Sequence, residues 1–102
     1  MAWLEIIEIR TAGSNRELLA SQLRSLRNEL KKNADLKDVK IYRRAMLETD
    51  YCIHLFHSSK KVVIGCSPIC SQLTQSLKDF GLVNHTVWIE KSNGGYINET
   101  KM

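Results

Sequence analysis

Two segments of this sequence repeat apolar residues at helical spacing, each behind its own start signal, and the stretches between them are short, apolar and strand-like. In the first segment, Ser14-Asn15-Arg16-Glu17 sets a serine three positions before a glutamate, so each side chain can satisfy a free amide at a helix start. Leu19, Leu23, Leu26 and Leu30 follow on one face, Leu18 widens the stripe, and Asn33 after the basic Lys31-Lys32 is the expected stop. The second segment opens on Ser67-Pro68, a capping residue followed by a proline whose missing amide costs nothing in a first turn. Its stripe is Ile69, Leu73, Leu77 and Phe80, and Gly81 is the expected end.

The intervening stretches read as strands. Leu4 to Arg10 is isoleucine-rich and runs into a Thr11-Ala12-Gly13 turn. Val39 to Met46 and Tyr51 to His57 form an expected hairpin joined by Leu47 to Asp50, and Val83 to Glu90 is a last strand. Val62-Val63-Ile64 fits either a sheet edge or a packed loop. The order is β-α-β-β-α-β, an α+β arrangement of the ferredoxin-like kind, with both helices expected on one face of a four-stranded antiparallel sheet. We read residues 1–91 as one such domain and residues 92–102, SNGGYINETKM, as a flexible or arm-like tail.

Composition bounds the setting. Of 102 residues, 43% are hydrophobic and 25% charged, which suits a globular protein and argues against disorder. No apolar run is long enough to span a bilayer, and Glu5 and Glu8 interrupt what a secretory leader would need, so a cytoplasmic protein without a membrane partner is expected. In that setting three cysteines are free thiols rather than a disulfide framework. A net charge of +4 permits an acidic partner without demanding one.

Alternation along the strands divides the sheet into two faces. Val39, Ile41, Tyr51, Ile53, Leu55, Val87 and Ile89 go under the helices; Tyr42, Arg44, Cys52, His54, Phe56, Thr86 and Trp88 go to the other side. The first strand is apolar both ways, with Leu4 and Ile6 opposed to Trp3, Ile7 and Ile9. A second face carrying so many apolar groups calls for a cover, and a second copy of the chain is the simplest one.

With this element order, the hairpin TDYCIHLFHSS, the helix start GCSPICSQL and the closing strand VNHTVWIEK, the chain resembles the dimeric α/β-barrel proteins, specifically those like the antibiotic biosynthesis monooxygenases, over roughly residues 3 to 91. The resemblance implies sheets paired into a barrel and a small aromatic or quinone-like ligand in the cleft between sheet and helices. It also implies chemistry that needs no cofactor, although the strand 1 asparagine of several such enzymes has no counterpart in WLEIIEIR.

Under that reading His54, Tyr42 and Arg44 are the candidate catalytic residues, handling protons and charge, because imidazole titrates near neutral pH. Trp88, Phe56 and Cys52 are the candidate ligand-binding residues, the two aromatics as walls for a planar molecule. Sequence leaves open whether this is an enzyme, a cofactor-independent monooxygenase, or a non-catalytic dimerisation or ligand-binding module. No metal is expected: Cys66 and Cys70 are loosely spaced, and His54 and His57 point to opposite faces. Cys70 is read as a small half-buried residue and His85 as an exposed strand-end histidine. RNA binding is the remaining alternative for this element order, but the third strand reads DYCIHLF where a basic-Gly-aromatic pattern is required, so a nucleic-acid partner is not expected.

Overall fold

The computed structural model describes residues 2–91; the tail expected at 92–102 lies outside them. Strand β1 (Trp3–Thr11) leads through a short 3-10 turn to helix α1 (Arg16–Leu30), followed by β2 (Leu36–Arg43), β3 (Asp50–His57), α2 (Pro68–Leu77) and β4 (Gly81–Ile89). The sheet has four strands in the order β2-β3-β1-β4, every neighbouring pair antiparallel. This is the expected βαββαβ arrangement, with β1 and β3 at the centre. Among the described residues no helix is long and apolar enough to cross a membrane.

Alternation settles the core. Ile7 and Ile9 of β1, Val39 of β2, and Ile53 and Leu55 of β3 are buried against Leu19 and Leu23 of α1 and Leu73 and Leu77 of α2. A shift in register between Leu36 and Asp38 lets Leu36 and Val39, three positions apart, both reach this core.

Local details differ from expectation where backbone bonds compete. The 3-10 turn Gly13–Asn15, closed by the Asn15 amide on the Ala12 carbonyl, absorbs Ser14, so helix α1 begins at Arg16 with Asn15 ahead of it and no side-chain cap. The expected capping box therefore does not form. The other start does: the Ser67 hydroxyl accepts from the Cys70 amide at 3.1 Å. Gly81 is already the first residue of β4, paired with Thr11, and a Cβ there would overlap the Arg10 carbonyl. Close strand approach, rather than helix termination, is what requires this glycine. The 62–64 stretch lies in the loop before α2, with Ile64 exposed.

Candidate functional site

The sheet carries two chemically distinct surfaces. On the face turned away from the helices, β3 presents Cys52, His54 and Phe56, and β2 presents Tyr42 and Lys40. The Tyr42 and His54 rings meet at a tilt with centroids 4.8 Å apart, Cys52 Sγ lies 3.6 Å from His54 Nε2, and Phe56 is 6.1 Å from His54 between ring centroids. Lys40, paired with His54 across the strands, sets its ammonium over the Phe56 ring at 5.6 Å. Burial, then the Lys40 charge, holds the His54 imidazole below its ordinary pKa, so it stands neutral at neutral pH.

Not every residue assigned to this site from sequence joins that group. Trp88 lies on β4, with Leu4 of β1 between it and Phe56, and its indole donates to the Thr86 hydroxyl at 2.7 Å. Arg44 falls just past the end of β2, where it and Arg10 share the Asp50 carboxylate at 3.3 and 3.2 Å. Arg10 first, together with Thr49 and Arg44, holds the Asp50 carboxyl below its usual range. At this end of the open face is a cavity of about 460 Å³ lined by Glu8, Arg10, Tyr42, Arg44, Asp50 and Cys52, with Leu82 and Asn84 closing it from β4. It thus gathers Tyr42, Arg44 and Cys52, with His54 directly behind Tyr42 and Cys52.

None of these residues lies between sheet and helices, the location that the resemblance implied for a ligand. The apolar core fills that space, and within it lies a polar group that sequence reasoning did not identify. Glu5 of β1 is fully buried among the core residues. Its Oε1 takes the Ser67 hydroxyl at 2.5 Å and His57 Nε2 at 2.6 Å; its Oε2 takes the Ser67 amide at 3.1 Å and His85 Nε2 at 2.9 Å. Burial pushes the Glu5 carboxyl up, but the Ser67 hydroxyl and amide, His85 and His57 together outweigh it and hold the group below its ordinary value. The carboxylate is ionised, so both histidine Nε2 atoms donate to it.

The group is well supported. The Trp3 indole stacks on the His57 ring with centroids 3.9 Å apart and the planes nearly parallel, and donates to the Ser59 carbonyl at 2.8 Å. His85, expected to be exposed at a strand end, sits in mid-strand opposite Ile7 with only 19% of its side chain accessible. Among the described residues no buried side-chain nitrogen or oxygen lacks a partner. One signal in the sequence was available for this cluster: alternation along WLEIIEIR sets Glu5 with Trp3, Ile7 and Ile9, a carboxylate on an apolar face.

The fold has solved counterparts. The chain superposes on the Rv0793 protein of Mycobacterium tuberculosis with a TM-score of 0.70 at 13% identity, covering 93% of this chain and 100% of that one. A candidate antibiotic biosynthesis monooxygenase from Deinococcus radiodurans matches with a TM-score of 0.68 at 8% identity, over 88% of this chain and 93% of the other. This chain has the fold of the antibiotic biosynthesis monooxygenase-like α/β-barrel proteins. A point mutant of SnoaB, a cofactor-independent oxygenase from Streptomyces nogalater, shares that fold at a TM-score of 0.68 and 7% identity, over 90% of this chain and 95% of SnoaB. No protein-family profile matches the sequence, and no curated protein is recognisably similar to it in sequence.

Proposed function

We propose that this protein works as a homodimer paired through its open sheet face, and that it holds a small aromatic, quinone-like molecule there for oxidation by molecular oxygen without a cofactor. The observation that carries the reading is the 460 Å³ cavity at Tyr42, Arg44 and Cys52. Its volume is in the range of small-molecule sites, and it opens on a face too apolar to be left to water. Trp88 is 56% and Tyr42 46% exposed in the single chain, beside half-buried Leu4, Ile6 and Phe56. A second copy laid on this face covers them and closes the cavity.

The chemistry follows from the neutral His54. A phenol or an acidic C–H α to a carbonyl needs a base to become the electron-rich anion that reacts with oxygen, and a desolvated neutral imidazole is such a base. Tyr42 positions the ring and Arg44 and Arg10 offset the negative charge of the anion, whereas Phe56 and Trp88, opposite Leu4, belong to the apolar patch further along the face and do not line the cavity. Buried Glu5 is the poorer candidate for this step, since four donors already saturate its two oxygens.

Anthrone is a suitable probe: with one O₂ it gives anthraquinone and one water, the methylene losing four electrons and oxygen accepting them. The test is anthraquinone formation and oxygen uptake by the purified protein in air. Turnover that falls about a hundredfold in His54→Ala supports the assignment. Unchanged turnover in that variant removes His54 from the mechanism, and binding without turnover leaves the protein a ligand-binding module.

A further inference from the structure

The buried cluster on the helix side brings together more than hydrogen-bond donors. Glu5 of β1, His85 of β4, Cys66 just before α2 and Cys70 in its first turn each offer one ligand atom, and these four atoms lie within 4.8 Å of one another. We propose that Glu5, Cys66, Cys70 and His85 form a mononuclear site for a divalent transition ion of the zinc type. It lies across the sheet from the open-face cavity and stands whether or not that cavity binds a ligand.

The donor set decides the class of ion. Two thiolates, an imidazole and a carboxylate suit a borderline-soft cation that accepts four ligands in a tetrahedron, whereas calcium or magnesium would call for oxygens throughout. Tetrahedral bonds of about 2.3 Å to sulfur and 2.0 Å to nitrogen or oxygen set ligand atoms roughly 3.3–3.8 Å apart. The widest separation here, 4.8 Å, closes to that by an adjustment of about 1 Å. Cys66 is exposed and sits in the loop before α2, so it can make this adjustment and gives the ion a way in.

The surroundings are those of a supported ligand set. A carboxylate that binds a metal through one oxygen needs its other oxygen held, and Glu5 Oε1 is held by His57 and the Ser67 hydroxyl. The same Ser67 hydroxyl accepts from the Cys70 amide, which couples the orientation of Glu5 to that of Cys70. Without an ion, His85 Nε2 donates to Glu5 Oε2; on binding, that hydrogen moves to Nδ1, the freed lone pair goes to the ion, and the Cys66 and Cys70 thiols release their protons to water. The site therefore ties two sheet strands to the start of α2.

Cobalt(II) tests this because tetrahedral thiolate coordination has its own visible and near-ultraviolet bands. The reduced protein is titrated with cobalt chloride, then with zinc chloride. One equivalent per chain producing intense d–d bands and a sulfur-to-cobalt charge-transfer band, both removed by one equivalent of zinc, is the expected result. Cys66→Ser, a change at an exposed position, weakens cobalt binding by at least about tenfold while the circular dichroism spectrum is unchanged. A weak octahedral spectrum, or binding that Cys66→Ser and His85→Ala leave unaltered, overturns the site. So does the absence of cobalt binding by protein whose three cysteines all titrate with a thiol reagent once it is unfolded.

Discussion

His57 Nε2 stands 2.6 Å from Glu5 Oε1 at a position where the carboxylate has no contact with water and the histidine very little. The two residues share the helix side of neighbouring central strands, and neither could be buried there without the other. Removing the carboxylate leaves His57, His85 and both the amide and the hydroxyl of Ser67 without their acceptor. Glu5→Ala should cost about 3–5 kcal/mol of folding stability, read from urea unfolding of the variant against the wild type. A loss below about 1 kcal/mol would mean that water replaces the carboxylate, and the buried description of Glu5 would fail.

The pH dependence of stability should fall in two stages, one set by His54 and one by Glu5, both of which have depressed pKa values in the folded protein. His54 favours its neutral form when folded, so its contribution is complete above the unfolded value of about 6.5 and is lost as pH falls from there toward the folded value. Glu5 favours its charged form when folded; its contribution is complete above about 4.3 and is lost as pH falls through the lower folded value. Asp50, lowered in the same direction by its arginines, joins this second stage. Thermal melts from pH 8 to pH 3 should decline gently below the first threshold and steeply below the second. His54→Gln should abolish the first decline only; a variant that still declines between pH 6.5 and 5 would assign that stage to another group.

The faces of the sheet were readable because period-two alternation survives in β3 and in the middle of β2, where Tyr42, Cys52, His54 and Phe56 fall on one side and Val39, Ile53 and Leu55 on the other. The ends of elements were less readable. Ser14 and Glu17 have the spacing of a capping box, but a backbone bond to Ala12 draws the chain into a 3-10 turn first, and spacing carries no information about that competition. The helix-side cluster needed contacts between residues up to 80 positions apart, as with His85 and Glu5. Cys66 and Cys70 argued against a metal when matched with His54 and His57, the histidines near them in sequence. Their structural neighbours are instead Glu5 and His85, from strands that only the folded sheet makes adjacent.

Gly81 offers a direct check on how closely β4 approaches β1. A methyl group there would run into the Arg10 carbonyl and the Thr11 Cα, both backbone atoms with nowhere to move while the Gly81–Thr11 pairing holds. Gly81→Ala should therefore destabilise by about 1–3 kcal/mol, and amide exchange should quicken in β4 ahead of β3. A neutral result would require that the ends of the two strands separate without consequence.

The open sheet face yields the prediction on which the proposed function most depends. Leu4 and Ile6 sit at its centre, flanked by His54 and Phe56 on β3 and by Thr86 and Trp88 on β4. An antiparallel sheet with one side in water should be polar on that side; here Glu8 and Arg10 lie further along β1, and Lys40, on the edge strand, sets its ammonium at the margin of the patch over Phe56. Sedimentation equilibrium should accordingly give a dimer at micromolar concentration. Ile6→Lys puts an ammonium into the middle of the apolar patch while leaving the helix-side core untouched, so it should raise the dimer dissociation constant at least about a hundredfold with an unchanged circular dichroism spectrum. Tryptophan fluorescence supplies a second reading, because Trp88, exposed in the single chain, should shift to the red when the pair separates, whereas Trp3 stays buried against His57 in either state. A wild-type protein that sediments as a monomer, or an Ile6→Lys variant that remains dimeric, would place any partner elsewhere on the surface and leave the cavity at Tyr42 open to solvent.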